Sequence, residues 1–195
     1  MMGISNAQKS AYNILTSVLG QVITIVLGVV IPRLVLVNLG SENNGLLSSI
    51  TQVLGYASLL EAGVGLASLQ ALYKPVAEHD EASVNAIMSA TNLYYKRTGI
   101  AYLLTVIILS AIYPVIIKSS LPYGTITIVV LISGLPGVVN YYFQGKYKIL
   151  LQAEGRTYII TNLATVIGIL TSVGKILLLL LGFGVIAVQS LYLTL

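Results

Sequence analysis

Residues 119–145 read SSLPYGTITIVVLISGLPGVVNYYFQG, 27 consecutive positions without a charged side chain and dense in Ile, Val and Leu. About 20 mostly apolar residues carry a helix across the hydrocarbon core of a bilayer, whereas a helix buried in a soluble domain needs only about 10–14. The run therefore reads as a transmembrane helix, and the rest of the chain repeats it. Uncharged stretches of 23 residues (10–32), 18 (43–60), 20 (98–117), 18 (157–174) and 20 (176–195) account for most of the 195 positions. The whole sequence is 56% apolar and 8% charged, against about 25% charged in an average soluble domain. An ordinary soluble globule is excluded.

The sequence has no cysteine, no tryptophan and one histidine, His79. Disulfides, thiolate metal sites and thiol nucleophiles are excluded with the cysteines. No second histidine exists to complete a metal set with His79, which sits among Glu78, Asp80 and Glu81 and reads as a solvated loop residue. No cofactor and no enzymatic activity are expected.

The runs resolve into spans at about 11–37, 46–73, 98–117, 123–143 and 158–181, followed by an apolar start of a sixth at 185–195. Tight turns lie at 38–45, where Gly40, Asn43, Asn44 and Gly45 break the pattern, and at 182–184. The first run exceeds the roughly 7 to 15 residues of a signal-peptide core and lacks a small-residue cleavage site, so it is expected to be retained. Residues 74–97 are the most polar segment. Within it Val84, Ile87, Met88, Thr91 and Tyr95 recur at helical spacing behind Asp80, an N-cap residue type, which predicts an amphipathic helix on the membrane surface. Residues 144–156 read as a polar loop. The expected fold is all-α: a polytopic transmembrane helix bundle of five full spans plus part of a sixth, in one domain covering 1–195 that is a piece of a longer chain.

Charge orients this bundle. Lys9, Lys74, Lys96, Arg97, Lys146, Lys148 and Arg156 fall on one side and Lys118 on the other, which places the N-terminus in the cytoplasm by the positive-inside rule. The net charge of +4 is thereby a topology signal, and no nucleic-acid partner is implied.

Three ionisable residues interrupt the spans: Arg33, Glu61 and Lys175. Each costs at least about 2.5–3.5 kcal/mol near a bilayer centre. At about 1.5 Å per residue, Arg33 and Lys175 lie about 8 and 10 Å from the outer ends of their spans. Either they line one water-filled cavity that attracts an anionic substrate, or each snorkels to nearby headgroups. Glu61 is about 20 Å from either end of its span, beyond snorkelling range. It opens the motif Glu61-Ala62-Gly63-Val64-Gly65, whose two helix-weakening glycines free backbone groups that could bind an ion or let the helix bend. Glu61, Gly63 and Gly65 are thus candidates for ion coupling or a polar cavity. Alternatively Glu61 is neutral, or hydrogen-bonded to Gln21, Thr24, Asn140 or Asn162. Gly63 and Gly65 do not form a dinucleotide fingerprint, because no strand precedes them and the third glycine is missing. Pro32, Pro114 and Pro136 read as bend points. Most of the 13 tyrosines sit at inferred interfaces, with Tyr56 and Tyr102 standing out as mid-span polar contacts.

Taken in order, these features resemble the Wzx-like polysaccharide flippases of the multidrug/oligosaccharidyl-lipid/polysaccharide exporter superfamily. The resemblance is carried by Asn13 and Pro32-Arg33 in the first span and by Leu39-Gly40-Ser41-Glu42-Asn43-Asn44-Gly45-Leu46 at its outer turn. Glu61-Ala62-Gly63-Val64-Gly65 in the second span and Leu151-Gln152-Ala153-Glu154-Gly155-Arg156 in the inner loop complete it. It implies the first lobe of a two-lobed transporter in the bacterial cytoplasmic membrane. Such a transporter flips undecaprenyl-pyrophosphate-linked oligosaccharide units for O-antigen, capsule or exopolysaccharide synthesis. Lys175 and Arg33 then form a cationic cavity for the pyrophosphate, membrane lipids surround the bundle, and Glu61 couples the cycle to H+ or Na+. A cation-coupled drug or metabolite exporter of the same superfamily is the alternative; in-span cations outnumber acids two to one, which favours an anionic substrate. A membrane-embedded enzyme of the same pathway would need a long external loop, and the inferred outer loops are short. A non-transporting helical scaffold is the third alternative.

Overall fold

The computed structural model describes residues 6–61 and 63–194; Ala62 and Leu195, both used in reading the sequence, lie outside them. Every element among the described residues is helical. They run α1 (Asn6–Ala57), a 3-10 turn (Ser58–Glu61), α2 (Val64–Ala77), α3 (Glu81–Ile116), α4 (Tyr123–Val139), a π segment (Asn140–Gln144), α5 (Gly145–Ala153), α6 (Thr157–Leu180) and α7 (Val185–Thr194). Among the described residues four helical stretches are long and apolar enough to cross a membrane: Val18–Ala57, Glu81–Ile116, Tyr123–Ala153 and Thr157–Leu180. The architecture is compatible with an all-α membrane protein. Exposed Val22, Val26, Val29 and Val37 on α1, and Ile108, Ile112 and Val115 on α3, form an apolar exterior that lipid can cover.

α1 is two arms joined at Gly40, whose φ of 86° and ψ of 170° leave the helical region. Positive φ costs glycine nothing and other residues a steric clash. The first arm runs alongside α6 in the same direction. Gly20 faces Thr165, and fifteen residues later Val35 packs with Leu179 and with Val188 of α7. After Gly40 the chain reverses, and Leu46 and Ile50 descend against Tyr113, Ile126, Val129 and Val130 of α3 and α4. Glu42, just past the turn, accepts hydrogen bonds from the backbone N–H and hydroxyl of Ser120, tying this end to the α3–α4 connection.

α3 begins where the sequence indicates. The Ser83 backbone N–H donates to the Asp80 carboxylate at 3.1 Å, satisfying one of the free donors at a helix start. The 36-residue helix then continues without interruption into the third apolar run. This corrects the expectation of a separate surface helix over residues 74–97: at about 1.5 Å per residue α3 is about 54 Å long, well beyond the roughly 30 Å of hydrocarbon. Its periodic face meets protein rather than lipid, since Val84, Ile87 and Met88 pack around Leu72, Tyr95 and Ile149. The expected loop at 144–156 is likewise mostly helix, and only Glu154–Arg156 form the turn before α6.

Small residues let α3 and α4 come close. A Cβ at Gly134 would stand 2.5 Å from Val106 Cγ1, and one at Gly137 2.6 Å from Tyr102 Cε1. Glycine contacts of this kind are the usual means of close helix packing in membranes, where apolar burial alone supplies no driving force.

Candidate functional site

The in-span charges occupy three different settings. Glu61 closes the 3-10 turn Ser58–Glu61, where the second run breaks before α2. Gly63, the residue before α2, has φ 95°, so the glycine anticipated as a weak point is the place where the helix bends. The Tyr95 hydroxyl, on α3, donates to Glu61 Oε1. Tyr95 is only 3% exposed, in contrast to the interfacial place its neighbours Tyr94, Lys96 and Arg97 suggest. Gly65 makes this contact possible: a Cβ there would lie 2.9 Å from Tyr95 Oη and 3.2 Å from Glu61 Oε1.

The opposing wall comes from the π segment and α5. Tyr141 Oη donates to the Ser58 carbonyl at 3.5 Å, lies in the field of Glu61, and packs edge-on against the Tyr102 ring with centroids 5.2 Å apart. Lys148 Nζ donates to Asn140 Oδ1 and interacts electrostatically with Glu61. Thus one carboxylate, two buried phenols, an amide and an ammonium meet between two irregular helix segments. Of the partners weighed for Glu61, Asn140 lies across the cluster but is engaged by Lys148. The phenol that bonds Glu61 is 34 residues away, and no local pattern announces it.

Lys175 lies elsewhere, toward the Gly40 end, 7% exposed. It lines a cavity of about 370 Å³ to which α1, α3, α4, α6 and α7 contribute. Its lining is mostly apolar, and polar side chains are set into it: Ser48 and Thr51 from the second arm of α1, Tyr102 from α3, and Ser133 and Gln189, joined by a 2.8 Å hydrogen bond from Gln189 Nε2 to Ser133 Oγ. A buried ammonium amid hydroxyl and amide groups can hold an anion or a polyhydroxylated group.

Arg33 does not line this cavity. Pro32 does, but one residue further on an α-helix turns by about 100°, and Arg33 is exposed on the helix face of Val22, Val26, Val29 and Val37. The structure therefore does not bring Arg33 and Lys175 together in one cavity; the environment of Arg33 suits a side chain that extends along the apolar face toward headgroups. Tyr56 is 72% exposed, whereas Tyr102 is buried and joins both the Lys175 cavity and the Tyr141 contact.

A second cavity, of about 540 Å³, lies at the far end, between the α2–α3 and α5–α6 turns, beside His79, Glu81, Glu154 and Arg156. Arg156 pairs with Glu154 at 3.3 Å and His79 is exposed, so it is a solvated, charge-paired surface hollow. Compared with protein-family models, curated proteins and solved structures, the chain matches none.

Proposed function

We propose that this chain is the first lobe of a Wzx-like transporter that flips undecaprenyl-pyrophosphate-linked oligosaccharide units across the bacterial cytoplasmic membrane, with its N-terminus in the cytoplasm. In this reading α1 makes two crossings that meet at Gly40, α2 extends the second, α3 makes the third, α4 with α5 the fourth and α6 the fifth, and α7 begins a sixth. The observation that carries the reading is Lys175, a buried cation lining a cavity that also holds hydroxyl and amide side chains. An ammonium inside a bundle marks a substrate or ion path by default, and a phosphate-bearing substrate can form charge-assisted hydrogen bonds with it. Ser48, Thr51, Ser133 and Gln189 supply the donors and acceptors that sugar hydroxyls or phosphate oxygens need. The Glu61 cluster is the coupling site for H+ or Na+, seated at the helix break where the second crossing can bend.

The test is mass spectrometry of polyprenyl-linked oligosaccharides in cells with and without the intact gene. Accumulation of complete, unpolymerised repeat units in the deletion strain is expected. An unchanged lipid pool, with altered sensitivity to cationic dyes, supports the second reading, a cation-coupled exporter. That reading is favoured by one observation, the carboxylate of Glu61 set among the rings of Tyr95 and Tyr141, since acids flanked by aromatic rings suit organic cations.

A further inference from the structure

Two cations on α3 and one on α5 gather where α3 meets the π segment through glycine. A Cβ at Gly99 would stand 3.0 Å from the backbone N of Tyr142, and one at Gly145 would overlap the Tyr95 ring. This close approach sets Lys96 Nζ 5.8 Å from the centroid of the Tyr142 ring, within the range of a cation–π attraction. Tyr142 packs edge-on against Phe143 at 4.8 Å, and Lys146 Nζ lies 4.8 Å from the centroid of the Tyr147 ring. Lys96 and Arg97 are exposed, as are Phe143 and Tyr147. Lys146 is two residues from Lys148, about 200° round the helix, which puts it on the opposite side of α5.

Below these charges the surface turns apolar. Ile100 and Leu104, one and two turns beyond Lys96, continue its exposed face of α3 into the third apolar run. Val139, one turn before Phe143, is exposed on α4, where Tyr102 of α3 meets Gly137. Cations and rings thus lead into apolar side chains, the order in which a phospholipid presents its phosphate and then its acyl chains. The six acids of the chain are occupied or placed elsewhere. Glu42 accepts from Ser120, Glu61 from Tyr95 and Asp80 from Ser83, while Glu78 and Glu154 pair with Lys74 and Arg156. Glu81 stands about 22 Å of helix before Lys96. Among the described residues no carboxylate is ion-paired with Lys96, Arg97 or Lys146.

Basic surfaces between transmembrane helices at the headgroup level bind acidic lipids. We propose that this ridge of α3, the π segment and α5 binds an anionic phospholipid of the surrounding membrane. Lys96, Arg97 and Lys146 hold the phosphate, and Ile100, Leu104 and Val139 carry the acyl chains. A free phosphate or an acidic protein segment would use the cations and leave the adjoining apolar face without a role. The inference requires the chain to sit in a bilayer and does not depend on what it transports.

Native mass spectrometry of the purified full-length protein in detergent, titrated with dioleoyl phosphatidylglycerol or dioleoyl phosphatidylethanolamine, tests this. The first phosphatidylglycerol is expected to bind about tenfold or more tightly than phosphatidylethanolamine, since only the former carries a net charge. K96Q/R97Q/K146Q should lose that preference, whereas K74Q/K118Q/R156Q, which removes three cations elsewhere, should keep it. Glycerol phosphate, which lacks the chains, should not displace the lipid. Equal affinity for the two lipids overturns the proposal, as does a parental preference in the first variant, an equal loss in the second, or displacement by glycerol phosphate. If the first variant does not fold, K96Q and K146Q must each weaken phosphatidylglycerol binding, and parental affinity in either overturns the proposal.

Discussion

Gly65 is the residue whose replacement bears directly on the Glu61–Tyr95 contact. A Cβ at that position would push against both Tyr95 Oη and Glu61 Oε1, so Gly65→Ala should destabilise the protein by about 1–3 kcal/mol through overpacking. Tyr95→Phe removes the hydroxyl that the new methyl group would meet, and in the double variant part of the loss should be recovered. A double-mutant cycle of unfolding midpoints in detergent measures that coupling; strictly additive effects would mean that the Gly65–Tyr95–Glu61 contact is not what limits residue 65. Lys175 and Arg33 form a second contrast at this scale. Lys175→Met should lower transport about tenfold or more, a loss of about 1.4 kcal/mol or more, whereas Arg33→Gln should change it less than about twofold, a difference within the range of ordinary surface substitutions. Equal losses at both positions would mean that Arg33 serves the cavity after all. The sequence makes all three in-span charges conspicuous, since each interrupts an apolar run. What it hides is their partners: Glu61 and Tyr95 meet across 34 residues, and the exposure of Arg33 depends on the rotation of a helix whose two sides are both apolar.

At the scale of elements, the breaks were easier to read than the continuities. Glycines foretell both the Gly40 reversal and the bend at Gly63, because positive φ is sterically open to them. Gly63→Ala should destabilise the bend by about 1 kcal/mol, seen as a lower unfolding midpoint; no change would place the strain elsewhere. By contrast Tyr94, Lys96 and Arg97 look like a boundary, yet α3 passes through them, since a helix longer than the hydrocarbon core carries its charges into the headgroup region without ending. The polar stretch at 144–156 misleads for a similar reason: Lys146 and Lys148 are compatible with helix, and only the Gly155 turn interrupts it. Asp80 governs the start of α3. Hydrogen bonds from the Ser83 hydroxyl and then its backbone N–H hold the Asp80 carboxyl below its ordinary value. A depressed folded-state pKa means that its stabilisation is complete above the unfolded value of about 4 and is lost as pH falls through the lowered folded value. Hydrogen exchange at residues 83–85 should therefore accelerate in Asp80→Ala at neutral pH, and in the parent only under acid conditions. An Asp80→Ala variant with parental protection would show that the cap contributes nothing to the helix start.

For the whole molecule, the decisive features are a bundle of apolar helices and two sites within it that carry an ionisable side chain, one around Glu61 and one around Lys175. The apolar runs made the helical architecture plain from sequence, because uncharged stretches of 18 to 27 residues far exceed the roughly 9–11 of a membrane-spanning strand and, as helices, satisfy their own backbone hydrogen bonds in lipid. The cavity was not legible, since five helices must be brought together before Lys175, Ser133 and Gln189 share a space. Its proposed use is tested most directly by the leaflet in which the lipid-linked oligosaccharide resides. Intact cells expressing the full gene, or its Lys175→Met variant at equal protein level, would be treated with a membrane-impermeant reagent that oxidises sugar diols, and the carrier lipids then extracted and weighed. The predicted result is oxidised, outward-facing oligosaccharide in the parent and unmodified, accumulated oligosaccharide in the variant. Oxidation to the same extent in both, or in cells lacking the gene, would contradict it.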